Sequence, residues 1–231
     1  EAHSHVNFES MASDRAGYRL KDQFDQEVLG YLSGFKQSAL HSNASAARVA
    51  ADKSGTDPLS VAADGLLANM KISRASFVSG GSASDSIATH PDGSTGEATP
   101  LEVLNRMARL LDQQNVDRDG RWVVIDPVFG DILRNGRIIS GMVRGFRVYM
   151  SNNLPSAGTG ASTIDTNGSS SNFGVIVAGH DSAVATASQV EKVETYRDND
   201  SFADIVRGMH LYGRKILRPE ALCRAIYNIA G

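Results

Sequence analysis

The sequence predicts an α+β fold. Helical periodicity governs two long stretches, short apolar runs of strand type govern six others, and the two kinds do not alternate as a doubly wound parallel sheet requires. With 231 residues, 41% hydrophobic and 21% charged, the chain can bury a sizeable core as one large domain or two small ones.

The first helix is read from Leu20, Phe24, Val28, Tyr31 and Phe35, whose spacings of four, four, three and four draw one apolar stripe. Ser10 or Ser13 can cap it, and Asp14 suits its positive end, so the expected span is Asp14 to Leu40, about 40 Å long. Gly30 and Gly34 fall inside that span, where each costs about 1 kcal/mol relative to alanine. Two readings stay open: a core helix with two tolerated glycines, or a brace for an extended subunit against which another backbone packs closely.

From Asn43 to Ala98 the composition shifts to Ser, Ala, Gly and Asp, broken by Leu66, Leu67, Met70, Ile72, Phe77 and Val78. Short strands or a hairpin with loose loops are expected, with Pro91, Asp92 and Gly93 marking the clearest turn. Thr99, Pro100 and Glu102 then form a capping box ahead of a helix whose apolar face is Leu101, Leu104, Ala108 and Leu111. A turn at Asp117 to Gly120 leads to a buried strand at Trp122 to Ile125, and Asp126 and Pro127 open a second short helix, Val128 to Arg134, stopped by Asn135 and Gly136. Phe146 to Met150 alternates as a half-buried strand ending in Ser151-Asn152-Asn153-Leu154-Pro155. Ser156 to Asn172, almost all Gly, Ser, Thr and Ala, is expected as a long mobile loop. Strands follow at Phe173 to Ala178, Val190 to Tyr196, Met209 to Leu217 and Leu222 to Ile229, with a helical turn at Phe202 to Val206.

Chemistry-bearing motifs are absent. A net charge of -3 offers no basic excess for sequence-independent nucleic-acid binding. No apolar run reaches the roughly 20 residues of a membrane span, and Glu1 to Asn7 carry no signal-peptide pattern. Cys223 stands alone, which excludes an internal disulfide and a Cys-rich zinc site and is compatible with a reducing compartment. There is no phosphate-binding loop and no Gly-x-Ser-x-Gly elbow, and Gly158 and Gly160 lack the strand and helix a dinucleotide site needs. His3 and His5 could share a strand face toward a metal but have no acidic or thiol partner nearby; His41, His90, His180 and His210 are scattered. Asp198 and Asp200 resemble part of a calcium loop without its glycine and distal glutamate, so a charged turn is expected. No cofactor, metal or catalytic residue is expected.

The run Val193-Glu-Thr-Tyr-Arg-Asp-Asn-Asp-Ser-Phe-Ala-Asp-Ile-Val-Arg-Gly-Met-His-Leu-Tyr-Gly-Arg-Lys-Ile-Leu-Arg-Pro-Glu-Ala-Leu222 resembles the major capsid proteins of tailed bacteriophages. Its most telling pieces are Tyr212-Gly213, Arg218-Pro219-Glu220-Ala221-Leu222 and, upstream, Ser151-Asn152-Asn153-Leu154-Pro155; the helix bearing Asn105, Arg106, Leu110, Leu111 and Asp112 is similar to the same proteins. The likeness covers residues 99 to 228 and the first helix in outline, and fades between Asn43 and Ala98.

The resemblance implies the tailed-phage major capsid fold. A peripheral domain at 1–98 would carry the spine helix at about 14–40, an axial domain would fill 99–189 with a mixed sheet and helices, and 190–231 would supply return strands shared by both. It implies a virion protein, assembled in the host cytoplasm, that self-assembles through hexamers and pentamers into an icosahedral shell around double-stranded DNA contacted non-specifically. Decoration, scaffolding and portal proteins are its implied partners, and no membrane is. Candidate subunit-interface residues are Gly30, Gly34, Arg197, Asp198, Arg218 and Glu220. An N-terminal arm and an extended loop normally precede the family's spine helix, and only Glu1 to Ser13 precede it here. The alternatives are an encapsulin-like compartment with a protein cargo and, from another class, a soluble α+β hydrolase or ligand-binding domain using the Ser156 to Asn172 loop as a lid.

Overall fold

The structure is a computed structural model that describes residues 8–34, 66–82, 85–94, 96–134, 141–154, 156–157, 173–197 and 204–229. The first helix, α1, spans Phe8–Ser33 and is about 39 Å long. Ser10 and Ser13 lie within it and do not cap it, because Glu9, Met11 and Ala12 are good helix formers that carry the helix back to Phe8. The expected end at Leu40 is also corrected. Gly34 takes φ +76°, a left-handed conformation that breaks the helix, and donates its N–H to the Tyr31 carbonyl at 3.4 Å. Residues 35–65, including the start of the Ser- and Ala-rich stretch, lie outside the described residues.

A short helical turn (Ala68–Met70) precedes β1 (Lys71–Ile72), and a second (Arg74–Ser76) separates it from β2 (Ile87–Thr89). They do not pair with each other as a hairpin would; both run parallel to a distant strand, β10 (Leu222–Ile229), which gives their ladders a fully buried partner. Helix α2 (Pro100–Gln113) starts at the expected capping box, with the Glu102 N–H donated to Thr99 Oγ1 at 3.3 Å and the Thr99 N–H to Glu102 Oε2 at 2.6 Å. Its buried face is Val103, Leu104, Met107 and Leu111, so Leu101, expected inside, is exposed. The loop after α2 is fastened by the buried Arg121. Its guanidinium reaches Asp112 at 2.8 Å, the Val116 carbonyl at 2.5 Å and the Asp117 carbonyl at 2.7 Å.

Arg121 opens β3 (Arg121–Ile125), which leads through Asp126 into α3 (Pro127–Arg134). Next, β4 (Met142–Val143) and β5 (Phe146–Met150) form a hairpin whose two turn residues, Arg144 and Gly145, both have positive φ, matching the twist of a two-residue hairpin. The remaining strands are β6 (Ser156–Ala157), β7 (Phe173–His180), β8 (Val184–Arg197), β9 (Asp204–Ile216) and β10. Ser156 and Ala157, expected in the mobile loop, pair with β7, and 158–172 lie outside the described residues.

One mixed sheet runs β1-β10-β7-β3-β5-β4, with β2 also on β10 and β6 on β7. Strands β7 and β10 form its buried centre. Behind them, Asp126 Oδ1 accepts the Phe129 N–H at 2.8 Å, capping α3, and accepts the Tyr227 hydroxyl at 2.5 Å, while the Phe129 and Tyr227 rings meet edge to face at 4.9 Å. A Cβ at Gly174 would stand 2.6 Å from the Tyr227 ring and 2.9 Å from Asp126 Oδ2, so this position requires glycine.

Among the described residues, a second sheet consists of β8 and β9, an antiparallel ribbon about 44 Å long running from Val184 opposite Ile216 to Arg197 opposite Asp204, with a bulge between Ser188 and Val190. The helical turn expected at Phe202 to Val206 is corrected. Asp204, Ile205 and Val206 pair with Arg197, Tyr196 and Thr195, a setting that suits the two β-branched residues.

Gly174→Ala is expected to destabilise the subunit by about 1–3 kcal/mol, because the new methyl must displace a buried ring or carboxylate. Urea unfolding with an unchanged midpoint would refute this.

Candidate functional site

Helix α1 lies between the two sheets and meets each through polar side chains set on different faces of the same helix. Toward the ribbon, Glu27 receives the Tyr212 hydroxyl, the Arg214 Nη1 at 3.0 Å and its own-helix neighbour Gln23 at 3.0 Å. Phe24 packs edge to face on Tyr212 at 4.8 Å, and the Arg214 guanidinium lies 5.2 Å from the Tyr31 ring centroid. Tyr212, Arg214 and Ile216 alternate along β9 and so share the face turned to α1.

The electrostatics of this cluster follow from its depth, with the Arg214 side chain 11% exposed and that of Glu27 32%. Burial pushes the Glu27 carboxyl up, but hydrogen bonds from Tyr212, Arg214 and Gln23 outweigh it and hold the group below the usual carboxylate range. Burial, and then the adjoining carboxylate, push Tyr212 up to about 12. The cluster is therefore an anion clasped by two donors across an element boundary.

Toward the main sheet, Asn153 donates to Asp22 at 2.8 Å, and Gln26 donates to Asp22 at 3.0 Å and to Asn153 at 3.3 Å. The Ser151 to Leu154 segment is thus the lug that holds α1 to the end of β5, with Leu154 buried beneath it. At the helix C-terminus, Arg224 of β10 donates to the Ser33 carbonyl at 2.6 Å, placing a cation where the helix dipole is negative.

The residues singled out in the sequence are dispersed. Gly30 is buried within α1, and Ser33 Oγ donates to its carbonyl at 2.9 Å. Gly34 ends the helix. Arg197 closes β8 opposite Asp204, while Asp198 lies outside the described residues. Arg218 and Glu220 face each other at 2.9 Å across Pro219, and Arg218 also donates to Ser182 at 3.3 Å, so the pair is closed within one chain. Sequence reasoning did not single out Glu27, Arg214, Asp22, Gln26 or Arg224. Only Tyr212 and the Ser151 to Pro155 segment were visible, as parts of the resemblance.

His90 pairs with Asp92, which takes N–H donation from Ser94 at 2.8 Å, making a turn clamp. His180 accepts the Ser182 N–H at 3.1 Å. His3 and His5 lie outside the described residues; among those described, no group of three or more His, Cys, Asp or Glu is placed to hold a metal ion. No helix of the described residues is long and apolar enough to cross a membrane.

Because the folded Glu27 carboxyl titrates below its unfolded value, its contribution is present above the ordinary carboxylate range and is lost as pH falls through the lower folded value. Glu27→Gln is expected to cost about 1–3 kcal/mol near neutral pH and to flatten the acid limb of the stability profile. Urea midpoints measured from pH 7 down to acid check both; an unchanged profile would contradict the clasp.

No protein-family model matches the sequence, and no curated protein does. Among solved structures, the chain is similar to a chain in the capsid structure of the cyanophage P-SCSP1u, with 16% identity and a TM-score of 0.57 over 99% of this chain and 68% of that one. It is similar also to a chain in the asymmetric unit of the bacteriophage PhiM1 mature capsid, with 16% identity and a TM-score of 0.55 over 99% of this chain and 67% of that one. A chain from Mycobacterium phage Che8 is 25% identical, with a TM-score of 0.45 over 72% of this chain; the match spans 58% of the Che8 chain. The helix, mixed sheet and ribbon described above are thus the fold found in phage capsid structures.

Proposed function

We propose that this chain is a structural shell subunit, the major capsid protein of a tailed phage, acting by self-assembly and without a catalytic residue. The observation that carries this reading is the match of 99% of the chain to the cyanophage capsid structure at a TM-score of 0.57. In this reading hexamers and pentamers of the subunit close an icosahedral shell around double-stranded DNA, assembled in the host cytoplasm and meeting decoration, scaffolding and portal proteins there. Residues 1–98 form the peripheral domain with α1 as spine, 99–189 the axial domain, and 190–231 the return strands. The slight negative charge suits a container that must not grip its DNA tightly.

Gly30, Gly34, Arg197, Asp198, Arg218 and Glu220 remain the proposed interface positions. The Arg218–Glu220 pair supports the proposal through its geometry, since two exposed charges held across a proline turn present a fixed dipole to a neighbour.

Expression of the chain followed by sedimentation and negative-stain microscopy is expected to show uniform closed particles; a monodisperse monomer at high concentration would sink the shell reading. Arg218→Ala is expected to shift unfolding of the isolated subunit by no more than about 1 kcal/mol, as exposed pairs do, while lowering particle yield or regularity. Normal particles from this variant would remove Arg218 from the interface without touching the shell reading itself.

A further inference from the structure

The β4–β5 hairpin ends in a turn whose backbone disfavours one of its own residues. Arg144 has φ +53° and Gly145 φ +85°. Glycine takes such a φ freely, whereas the Cβ of an arginine crowds the backbone there. The two-residue turn therefore holds a cation at a rigid tip where glycine or asparagine would fit better. Arg144 is exposed, and no carboxylate among the described residues pairs with it. Behind it, on one face of the hairpin, stand Met142, 66% exposed, Arg147 opposite it, and Tyr149, 48% exposed. Arg147 donates to the Tyr149 hydroxyl at 3.5 Å and feels the Asp181 carboxylate, so this finger sets two cations against one anion and is net positive.

A surface of opposite sign lies on α1. Asp14, Tyr18, Lys21 and Asp25, spaced by four, three and four, form one exposed stripe, with Tyr18 70% exposed. From Phe8 to Gln26 the helix carries Glu9, Asp14, Asp22 and Asp25 against Arg15, Arg19 and Lys21. Arg19 is drawn to Asp22 at 3.5 Å, and no cation among the described residues pairs with Asp25. Burial, and then the Asp22 carboxylate beside it, push the Asp25 carboxyl up, a pressure that an added cation relieves.

We infer that the hairpin finger docks on the α1 stripe of a second copy of the chain, with Arg144 meeting Asp25, a contact that rests on the shell reading and names one of its joints. The chain does not close this contact on itself. Asn153, past the far end of β5, holds Asp22, and Arg224 of β10 holds Ser33, so α1 crosses the sheet away from the hairpin, whose tip stands about 16 Å of strand from that attachment. Two unlike surfaces that meet between identical subunits make a head-to-tail contact, and such contacts generate rings, the arrangement that hexamers and pentamers require.

The test exploits the turn. Arg144→Gly suits the positive φ and removes the cation, so the isolated subunit is expected to unfold at an equal or higher urea concentration while particle yield in sedimentation falls about tenfold. Arg144→Glu and Asp25→Arg, each verified as folded by circular dichroism, are expected to lower the yield as far, and the double variant to restore it to within about twofold of the native chain. Full yield from the single variants, or no recovery in the double variant, overturns the contact and leaves the shell reading standing. An Arg144→Gly subunit less stable than the native one shows that the arginine serves the fold, and overturns it also. Failure of the native chain to form particles overturns the shell reading and this contact together.

Discussion

The pairing of β7 with β10 is the constraint from which the rest of the fold hangs. Six register pairs, from Leu222 opposite Gly179 to Tyr227 opposite Gly174, place Val175, Ile176, Val177 and Ala178 against Cys223, Ala225 and Ile226 with almost no exposure. Each large aliphatic residue so buried contributes about 1.5–3 kcal/mol, which makes this pair the main apolar store of the sheet. The antiparallel register then decides what its ends can hold. Gly179 leaves room for the Trp122 and Leu222 side chains, and Gly174 leaves room for Tyr227 to reach Asp126. Asp126 in turn caps α3, which connects β3 to the β4–β5 hairpin. A change in the central register would therefore uncap a helix two strands away.

Helix α1 is attached to this centre by a different kind of force. Its contacts with the sheet and the ribbon are rich in polar groups: Asp22 and Gln26 with Asn153, Glu27 with Tyr212 and Arg214, and the helix end with Arg224. Hydrogen bonds to charged groups contribute about 1.5–3 kcal/mol each and demand a definite geometry, whereas apolar packing tolerates sliding. A long helix lying between two sheets gains from that demand. Without it, a smooth stripe of Phe24, Val28 and Tyr31 could shift by a turn against the ribbon at little cost, because rows three and four apart are equivalent.

The sequence made this division only partly legible. Strand segments with continuous or alternating apolar residues, such as Trp122 to Ile125, Phe146 to Met150 and Leu222 to Ile229, were readable because burial dictates their pattern, and the capping box at Thr99 was readable because its chemistry is local. The extent of α1 was misjudged because a glycine reads the same in a helix interior as at a helix stop, and only the φ of +76° at Gly34 separates them. The β9 start was misjudged because Asp204-Ile205-Val206 acquires its strand character from the partner across the ribbon. The Glu27 cluster was illegible for a stronger reason: its members are separated by 185 and 187 positions, and no local pattern encodes a contact over that distance.

The distribution of charge fits with these attachments. Among the described residues, many cations find their anions within the same chain: Arg74 with Glu97, Arg118 and Arg121 with Asp112, Arg207 with Glu194, Arg214 with Glu27, and Arg218 with Glu220. The exposed ones, Arg118 with Asp112, Arg207 with Glu194 and Arg218 with Glu220, add little to stability, about 0–1 kcal/mol, whereas the buried Arg121 and Arg214 fasten elements together. The effect of the exposed pairs on association is larger, because a surface whose charges are already paired presents short-range dipoles that fade within a Debye length of about 8 Å, and not a field of one sign.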